Sequence, residues 1–395
     1  MSVTDVPGFV AAGIACGIKS PASPDLAFVA TEDGQPVTAA GVFTSNKMTA
    51  APVIVCRTNL ARSDGRAAAV IINSGNANAA TGLVGMRDAI QMSQVAAGAM
   101  GGESSHVLVC STGLIGYELP MDVIEAGIPK AVAAANAEGG VQAATAMMTT
   151  DTVAKHTKVN ASIAGTDVTF GGIAKGAAML EPNMATMLAV VTTDAELTHE
   201  EATDLLQRAV GPAFNSLTVD GAQSTNDTVL LLANGRAGRV EPEELLAPLS
   251  EACMNLAVMM ADDAEGSTKT VFITVNGALN DDDAAHVARS IANCQLVKCS
   301  WYGKDPYWGR IASEAGASAA AFSPETLVIS YGDGARDIVT YSKGETVQVD
   351  KLALGEIMDQ RQLHLTVDLG QGAGSGRVIT TDLTHAYIDE NMGTS

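Results

Sequence analysis

Basic residues are scarce in this chain of 395 residues: 23 Lys and Arg stand against 44 Asp and Glu, and the formal net charge is −21 at pH 7. Proteins that bind nucleic acids or anionic membranes attract phosphate groups with clustered Lys and Arg. The charge therefore excludes a general nucleic-acid binder and disfavours a membrane-surface protein. Charged residues make up only 17% of the chain and hydrophobic residues 47%. This composition excludes a disordered protein and allows a large buried core.

Aromatic residues are also few, at 4%, whereas glycine is frequent, with 39 residues. We therefore expect closely packed helices and tight turns. No apolar run reaches the ~20 residues that span a bilayer. The segment 1–9 lacks the basic and then apolar pattern of a signal peptide. These features predict a cytoplasmic protein without a membrane partner.

Cysteines do not form a pattern: six are dispersed along the chain, and only Cys294 and Cys299 lie close together in sequence. A single C-x4-C pair lacks the second pair of a typical zinc site, and a disulfide framework needs an oxidising compartment. We expect free thiols in the core and no metal.

Strand-like apolar runs alternate with helix-like segments, which indicates a layered α+β fold. The predicted strands are 52–56, 68–72, 107–110, 168–170, 186–191, 228–232 and 271–275. The predicted helices are 85–100, 121–137, 199–210, 242–260, 283–293 and 311–321. A polar acidic stretch at 280–283 places a domain boundary near residue 278, so the predicted domains are 1–277 and 278–395.

A glycine-rich segment, 171–181, leads into Pro182 and Asn183, which favour a turn. An apolar run then starts at Thr186. A threonine hydroxyl within a chain is a poor nucleophile, but if the preceding peptide bond is cut, the new α-amine, with a pKa of about 8, can act as its base. A threonine at the start of a strand is also ordinary, so this pattern alone leaves a purely structural role open.

A second segment runs from the apolar strand 107–110 directly into Ser111, Thr112 and Gly113. Such a turn can expose backbone N–H groups and hydroxyls that hold the oxyanion formed when an acyl carbonyl is attacked. A turn that needs glycine only for its conformation is the alternative.

Seven short motifs follow one another in a specific order: NSGNANA at 73–79, STGLIG at 111–116, TTDT at 149–152, KG at 175–176, PNMATML at 182–188, STNDT at 224–228 and WGR at 308–310. With them, the sequence from Gly8 to the C-terminus resembles the arginine-biosynthesis bifunctional protein family, the ornithine and glutamate N-acetyltransferases. It departs from the usual family pattern at several positions, among them Glu181, where alanine is usual, and Tyr307. None of the departures removes a proposed catalytic group.

The resemblance implies a fold and a processing event. The fold is an αββα four-layer sandwich like that of N-terminal-nucleophile hydrolases, with a distinct topology, followed by a smaller C-terminal α/β domain. The chain would cut itself between Ala185 and Thr186. The resulting α chain, 1–185, and β chain, from 186, would stay in one folded unit and assemble as an α2β2 heterotetramer.

The resemblance also implies a reaction. Thr186 would accept the acetyl group of N-acetyl-L-ornithine and pass it to L-glutamate, and acetyl-CoA is a possible further donor. By matching motif positions, Thr112 and Gly113 would supply the oxyanion hole. The residues that would line the substrate site are Thr152, Lys175, Thr186, Glu265, Asn391 and a terminal hydroxyl, Ser395 or Thr394. Acyl transfer through an ester needs no metal or organic cofactor.

Two other functions compete with this one. A self-cleaving aminopeptidase or amidase of the related fold would use water in place of glutamate, and its release of acetate from N-acetylornithine would not depend on glutamate. An inactive binding or scaffold protein would stay uncleaved and run as one band on a denaturing gel.

Overall fold

The computed structural model describes residues 1–19, 22–181 and 187–393. The described chain forms two compact units. The first contains Met1–Asn215 and Ala222–Met260, and the second contains Ser216–Gly221 and the chain from Ala261 onward.

In chain order, the described strands are β1 (Phe9–Ile14), β2 (Leu26–Thr31), β3 (Val37–Phe43), β4 (Arg66–Ala67), β5 (Ala69–Asn76), β6 (Val107–Leu114), β7 (Lys155–Ile163), β8 (Thr166–Lys175), β9 (Leu188–Ala195), β10 (Thr228–Gly238), β11 (Thr270–Ala278), β12 (Val328–Gly332), β13 (Asp337–Ser342), β14 (Glu345–Thr346), β15 (Gln362–Asp368) and β16 (Gly374–Thr381). The described α-helices are α1 (Ala51–Arg62), α2 (Gly82–Met100), α3 (Met121–Ala134), α4 (Gly140–Ala146), α5 (His199–Val210), α6 (Leu246–Asp262), α7 (Asp281–Asn293), α8 (Gln295–Tyr302), α9 (Trp308–Ala317), α10 (Lys351–Asp359) and α11 (His385–Asn391).

Two β-sheets packed face to face form the centre of the first unit. Among the described residues, one sheet has the strand order β1-β2-β5-β6 and the other the order β4-β3-β10-β9-β8-β7. Both sheets contribute buried side chains to one core between them, including Phe9, Val29 and Ile72 from the first sheet and Ile173, Val190 and Leu230 from the second. Burial of this apolar surface holds the two sheets together.

Helices cover the outer faces of both sheets. Behind the first sheet, Met92 of α2 and Ile128 of α3 belong to one buried cluster with Phe28. Behind the second sheet, α5 contacts β3 and β10, and Asn255 of α6 donates a hydrogen bond to the Thr157 hydroxyl of β7 at 3.4 Å. The order helix, sheet, sheet, helix confirms the αββα sandwich.

Helix α5 has the bounds that the sequence predicts, because its first turn is specified locally. The Thr198 hydroxyl accepts the Glu201 N–H at 3.2 Å, and the Glu201 carboxylate accepts the Thr198 N–H at 2.9 Å. This capping box satisfies two of the amide groups that a helix leaves unpaired at its N-terminus.

The predicted strand 52–56 is wrong, because these residues lie in helix α1. The β-branched run Val53, Ile54 and Val55 favours a strand when the window is short. Over the whole of α1 the buried positions are 51, 52, 53, 55, 56, 59 and 60, which follow the helical repeat. Proline near the start of α1 suits a first helical turn.

The second unit is built on one mixed sheet, with the order β14-β13-β12-β15-β11-β16 among the described residues. Strand β11 pairs in parallel with β15 and antiparallel with β16, and Val271 and Ile273 of β11 share a core with Val287 and Ile291 of α7. The unit therefore begins near residue 261 and not at 278, where the sequence analysis places the boundary. The acidic stretch at 280–283 is the start of α7, inside the second unit.

The segment Pro242–Asp262, a short 3-10 turn followed by α6, is long and apolar enough to cross a membrane by length and composition alone. Half of its most apolar window is buried inside the protein, and Leu249, Cys253 and Leu256 are fully buried. Such burial is typical of a core helix of a globular protein.

Candidate active site

One end of the second sheet in the first unit brings three sequence motifs into a single row. Lys175, the last residue of β8, pairs with Leu188, the first residue of β9. Leu188 pairs in turn with Thr228, the first residue of β10. The KG and STNDT motifs and Leu188, the last residue of PNMATML, therefore meet at this end of the sheet.

The backbone of Met187 is held on both sides by the STNDT motif. Its N–H donates to Asp227 Oδ1 at 3.0 Å, and its carbonyl accepts the Thr228 N–H at 3.1 Å. Asp227 is fully buried, and this burial raises the pKa of its carboxyl well above the ordinary value of 3.8. Met187 is the residue that follows Thr186 in the chain. Thr186 itself lies outside the described residues.

Asn226 connects the same motif to two others. Its amide group donates to the Ala77 carbonyl at 2.6 Å and to the Ser111 carbonyl at 2.9 Å. The Thr225 hydroxyl donates to Asn226 Oδ1 at 2.6 Å and fixes the orientation of the amide. The NSGNANA, STGLIG and STNDT motifs thus form one hydrogen-bonded cluster.

The two predicted oxyanion donors, Thr112 and Gly113, lie near the end of β6, where its parallel pairing with β5 becomes irregular. Thr112 is buried. Gly113 is exposed and has a φ of 134°, a conformation that favours glycine. A Cβ atom at this position would overlap the backbone of Gly75 and Asn76.

A buried ion cluster lies around Asp151 of the TTDT motif. Asp151 Oδ1 accepts Lys155 Nζ and the Gly176 N–H, each at 2.7 Å. Its Oδ2 accepts the Thr149 N–H at 3.0 Å and lies 3.8 Å from Lys175 Nζ. Burial alone would raise the pKa of this carboxyl, but Lys175, Lys155 and the hydrogen bonds outweigh burial and hold it well below its ordinary value. The cluster keeps the Lys175 side chain in place at the end of β8.

A third cation lies near this cluster. Lys19 Nζ donates to the Met148 carbonyl at 2.9 Å. Burial lowers the pKa of Lys19, the charges of Asp25 and Asp151 oppose this shift, and Lys175 adds to it. This part of the strongly acidic chain therefore carries three lysines, two of which pair with the Asp151 carboxylate.

Of the remaining predicted residues, Thr152 is exposed and follows Asp151 directly. In the second unit, Asn391 of α11 donates to Glu265 Oε2 at 2.7 Å. The Thr384 hydroxyl, which caps α11, donates to the Gly266 carbonyl at 2.7 Å and ties the helix to the Glu265 loop. The structure thus brings Glu265 and Asn391 together, whereas Ser395 and Thr394 lie outside the described residues.

Tyr387 of α11 borders this pair. Its hydroxyl donates to Asp220 Oδ2 at 3.4 Å. Burial, together with the negative charges of Asp220 and Glu265, raises the pKa of Tyr387 to about 12. This phenol therefore stays protonated and remains a hydrogen-bond donor at neutral pH.

The ArgJ family model matches residues 10–393. The chain belongs to the ArgJ family. Proteins named "Arginine biosynthesis bifunctional protein ArgJ" are 44% identical over 396 residues in Thermobifida fusca and 42% identical over 397 residues in Streptomyces avermitilis, and both alignments cover 100% of each chain. A crystal structure described as ornithine acetyltransferase complexed with ornithine, from Mycobacterium tuberculosis, is 38% identical, covers 46% of this chain and 95% of that chain, and has a TM-score of 0.40.

The sequence analysis gives no role to three charged residues that the structure places in this candidate site: Asp151, Lys155 and Asp227. Asp227 directly precedes the apolar run 228–232, and a charged group at the start of a buried strand needs a buried partner. This signal marks Asp227 as unusual but does not name its partner. Asp151 and Lys155 adjoin a strand of mixed polarity, 155–163, which gives no such signal. Asp151 and Gly176 are 25 positions apart in sequence, and Asp227 and Met187 are 40 apart.

Proposed function

We propose that this chain is a self-processing N-acetyltransferase that moves the acetyl group of N2-acetyl-L-ornithine to L-glutamate through an acetyl ester on Thr186. Membership of the ArgJ family supports an enzyme of arginine biosynthesis. The observation that carries the proposal is the convergence on Met187. The residue that follows the nucleophile is bonded to Asp227 and Thr228 and adjoins the row that contains Lys175.

In this proposal, cleavage of the Ala185–Thr186 bond frees the α-amine of Thr186, which then takes the proton of its own hydroxyl. The Thr186 Oγ attacks the acetyl carbonyl of N-acetylornithine, and the Thr112 hydroxyl and the Gly113 N–H stabilise the oxyanion. The C–N bond breaks, ornithine leaves with the proton on its amine, and the acetyl group stays on Oγ. The glutamate amine then attacks this ester and releases the hydroxyl.

Substrate charges explain the other residues. Both substrates carry an α-carboxylate, which Lys175 can hold by a charge-assisted hydrogen bond. Glu265 can bind the substrate ammonium group, with Asn391 fixing the position of its carboxylate. Thr152 and Ser395 offer hydroxyls. None of these steps needs a metal or an organic cofactor.

Three finer features belong to the same proposal. The α and β chains stay together as an α2β2 heterotetramer, and the reaction takes place in the cytoplasm. Acetyl-CoA serves as a second acetyl donor, which the description of the relatives as bifunctional supports.

Intact-mass spectrometry of the purified protein, before and after mixing with N-acetylornithine, tests the proposal. We expect two chains in place of one of 40.3 kDa, divided between 185 and 186, and one acetyl group on the β chain. The variant Thr186→Ala should show neither cleavage nor acetylation, whereas Thr186→Ser, which keeps a hydroxyl, should retain some of both. A single uncleaved chain that transfers acetyl groups would refute the mechanism. Acetate release that does not change with glutamate would favour the amidase.

A further inference from the structure

Asp227 has a position that the reaction described above does not use. Its Oδ1 accepts the N–H of Met187, and Met187 is joined to Thr186 by a peptide bond. The nitrogen that Asp227 holds is therefore the nitrogen of the peptide group whose carbonyl belongs to Thr186.

We propose that Asp227 is a positioning residue, which fixes the backbone of the nucleophile through the Met187 amide for both self-cleavage and acetyl transfer. The inference rests on the proposed function, because it assumes that Thr186 is the nucleophile. No contact between Asp227 and Thr186 is needed.

The regular strand pairing explains why a side chain is needed at this point. Strand β9 starts at Leu188 and β10 at Thr228, and these two residues are the first pair of their parallel ladder. Met187 lies one residue outside the ladder. Its carbonyl still accepts the Thr228 N–H, but its N–H is bound by the Asp227 carboxyl and not by a backbone carbonyl. Asp227 thus extends the anchored part of the chain up to the nucleophile.

Asp227 is itself held rigidly, as a positioning residue must be. Its carbonyl accepts the Thr44 N–H at 3.0 Å. The preceding residue, Asn226, is fixed by the carbonyls of Ala77 and Ser111. Through Asn226, the anchor on the nucleophile's backbone is also connected to the strand end that carries Thr112 and Gly113.

The burial of Asp227 indicates that this carboxyl is retained at the expense of stability. The side chain is fully buried, and Oδ2 has no hydrogen-bond partner in the part of the chain that the structure describes. A buried polar atom without a partner destabilises a fold. Burial also raises the pKa of this carboxyl, which means that its charged form is penalised, and an asparagine has the shape of the neutral form.

The variants Asp227→Ala and Asp227→Asn separate positioning from charge. Asp227→Ala removes the acceptor of the Met187 N–H. We expect the rate of self-cleavage, measured by intact mass, and the kcat of the cleaved enzyme each to fall by about 100-fold. A small misplacement of reacting groups produces an effect of this size. KM for N-acetylornithine should change much less. Asp227→Asn keeps an oxygen acceptor and should restore both rates to within about threefold of wild type.

Asp194 provides a matched control in β9, the strand that Met187 precedes. It lies near the far end of β9, is also buried, accepts the Thr169 N–H at 2.8 Å and has a pKa raised by burial. Asp194→Ala should therefore lower resistance to urea without changing kcat or the rate of cleavage.

Each outcome has a distinct meaning. If wild type cleaves and transfers acetyl groups but Asp227→Ala does so at the same rates, or loses only stability as Asp194→Ala does, the inference is wrong. If Asp227→Ala does not fold, Asp227→Glu replaces it, because the longer side chain moves the acceptor by one methylene group. A wild-type kcat for Asp227→Glu would overturn the inference. If wild type neither cleaves nor transfers, the proposed function fails first and the role of Asp227 falls with it.

Discussion

The substitution Asp151→Asn tests the buried ion cluster that holds Lys175. The side chains of Asp151, Lys155 and Lys175 are all at most 4% exposed. Asparagine keeps an oxygen that can accept one of the backbone N–H bonds, but it removes the only negative charge described in this group of three. Lys155 and Lys175, two buried cations, would then both lose the carboxylate that they share.

Removal of one partner from a buried ion pair typically lowers the free energy of unfolding by about 3–5 kcal/mol. Since domains are stable by only about 5–15 kcal/mol, we expect Asp151→Asn to fold but to unfold at much lower urea concentration. Lys175 should also lose its fixed position, so KM for N-acetylornithine should rise.

The double variant Asp151→Asn with Lys155→Met provides a second test of the ion cluster. It removes one cation together with the anion and should recover part of the lost stability, which a double-mutant cycle measures. Asp204→Asn is the matched surface control, because Asp204 pairs with Arg208 on the exposed face of α5. This control should unfold like wild type, as exposed ion pairs contribute little.

The effect of Asp151 also has a predictable pH dependence. The pKa of Asp151 lies below its ordinary value of 3.8 in the folded protein. The unfolded chain therefore binds the proton more readily, and the carboxylate stabilises the fold fully above about pH 3.8, its unfolded pKa. This contribution is lost as the pH falls from there through the lower folded pKa. The stability difference between wild type and Asp151→Asn should shrink over that range. A difference at pH 7 below about 1 kcal/mol, the size seen for surface pairs, would refute the reasoning.

Two further predictions concern the other candidate residues. Gly113→Ala should abolish transfer and destabilise the end of β6, because the new Cβ would overlap the backbone of Gly75. Gly116→Ala is the control: Gly116 also has a positive φ but lies in open space, so this variant should lose less stability. Equal losses of stability in urea unfolding would mean that backbone strain, and not overlap, is responsible. Glu265→Gln keeps an oxygen acceptor for Asn391 but removes the charge, so the steady-state rate of transfer should fall about tenfold or more while self-cleavage continues. An unchanged transfer rate would remove Glu265 from the site.

Local physical chemistry explains which parts of the fold the sequence predicts correctly. Helix α5 is specified by its capping box and its apolar repeat, both contained within a few residues. The αββα arrangement and the set of site residues come from the resemblance of ordered motifs. Of these site residues, the structure brings Glu265 and Asn391 into contact and places Lys175 in register with the strand that follows Thr186.

Other parts depend on partners far away in the chain. The run at 52–56 forms a helix because of the apolar face that continues to Leu60, which a short window does not include. Strand β11 belongs to the second unit because its hydrogen-bond partners, β15 and β16, lie about 90 to 110 residues later.

The amino-acid sequence by itself therefore determined the family, the chemistry of the candidate nucleophile and the local signals that start helices. Only the tertiary structure decided that Asp151 lies between two buried lysines and that Asp227 holds the Met187 amide. The physical reason is that a buried charge is defined by its neighbours, and here those neighbours are brought together by strand pairing between distant segments.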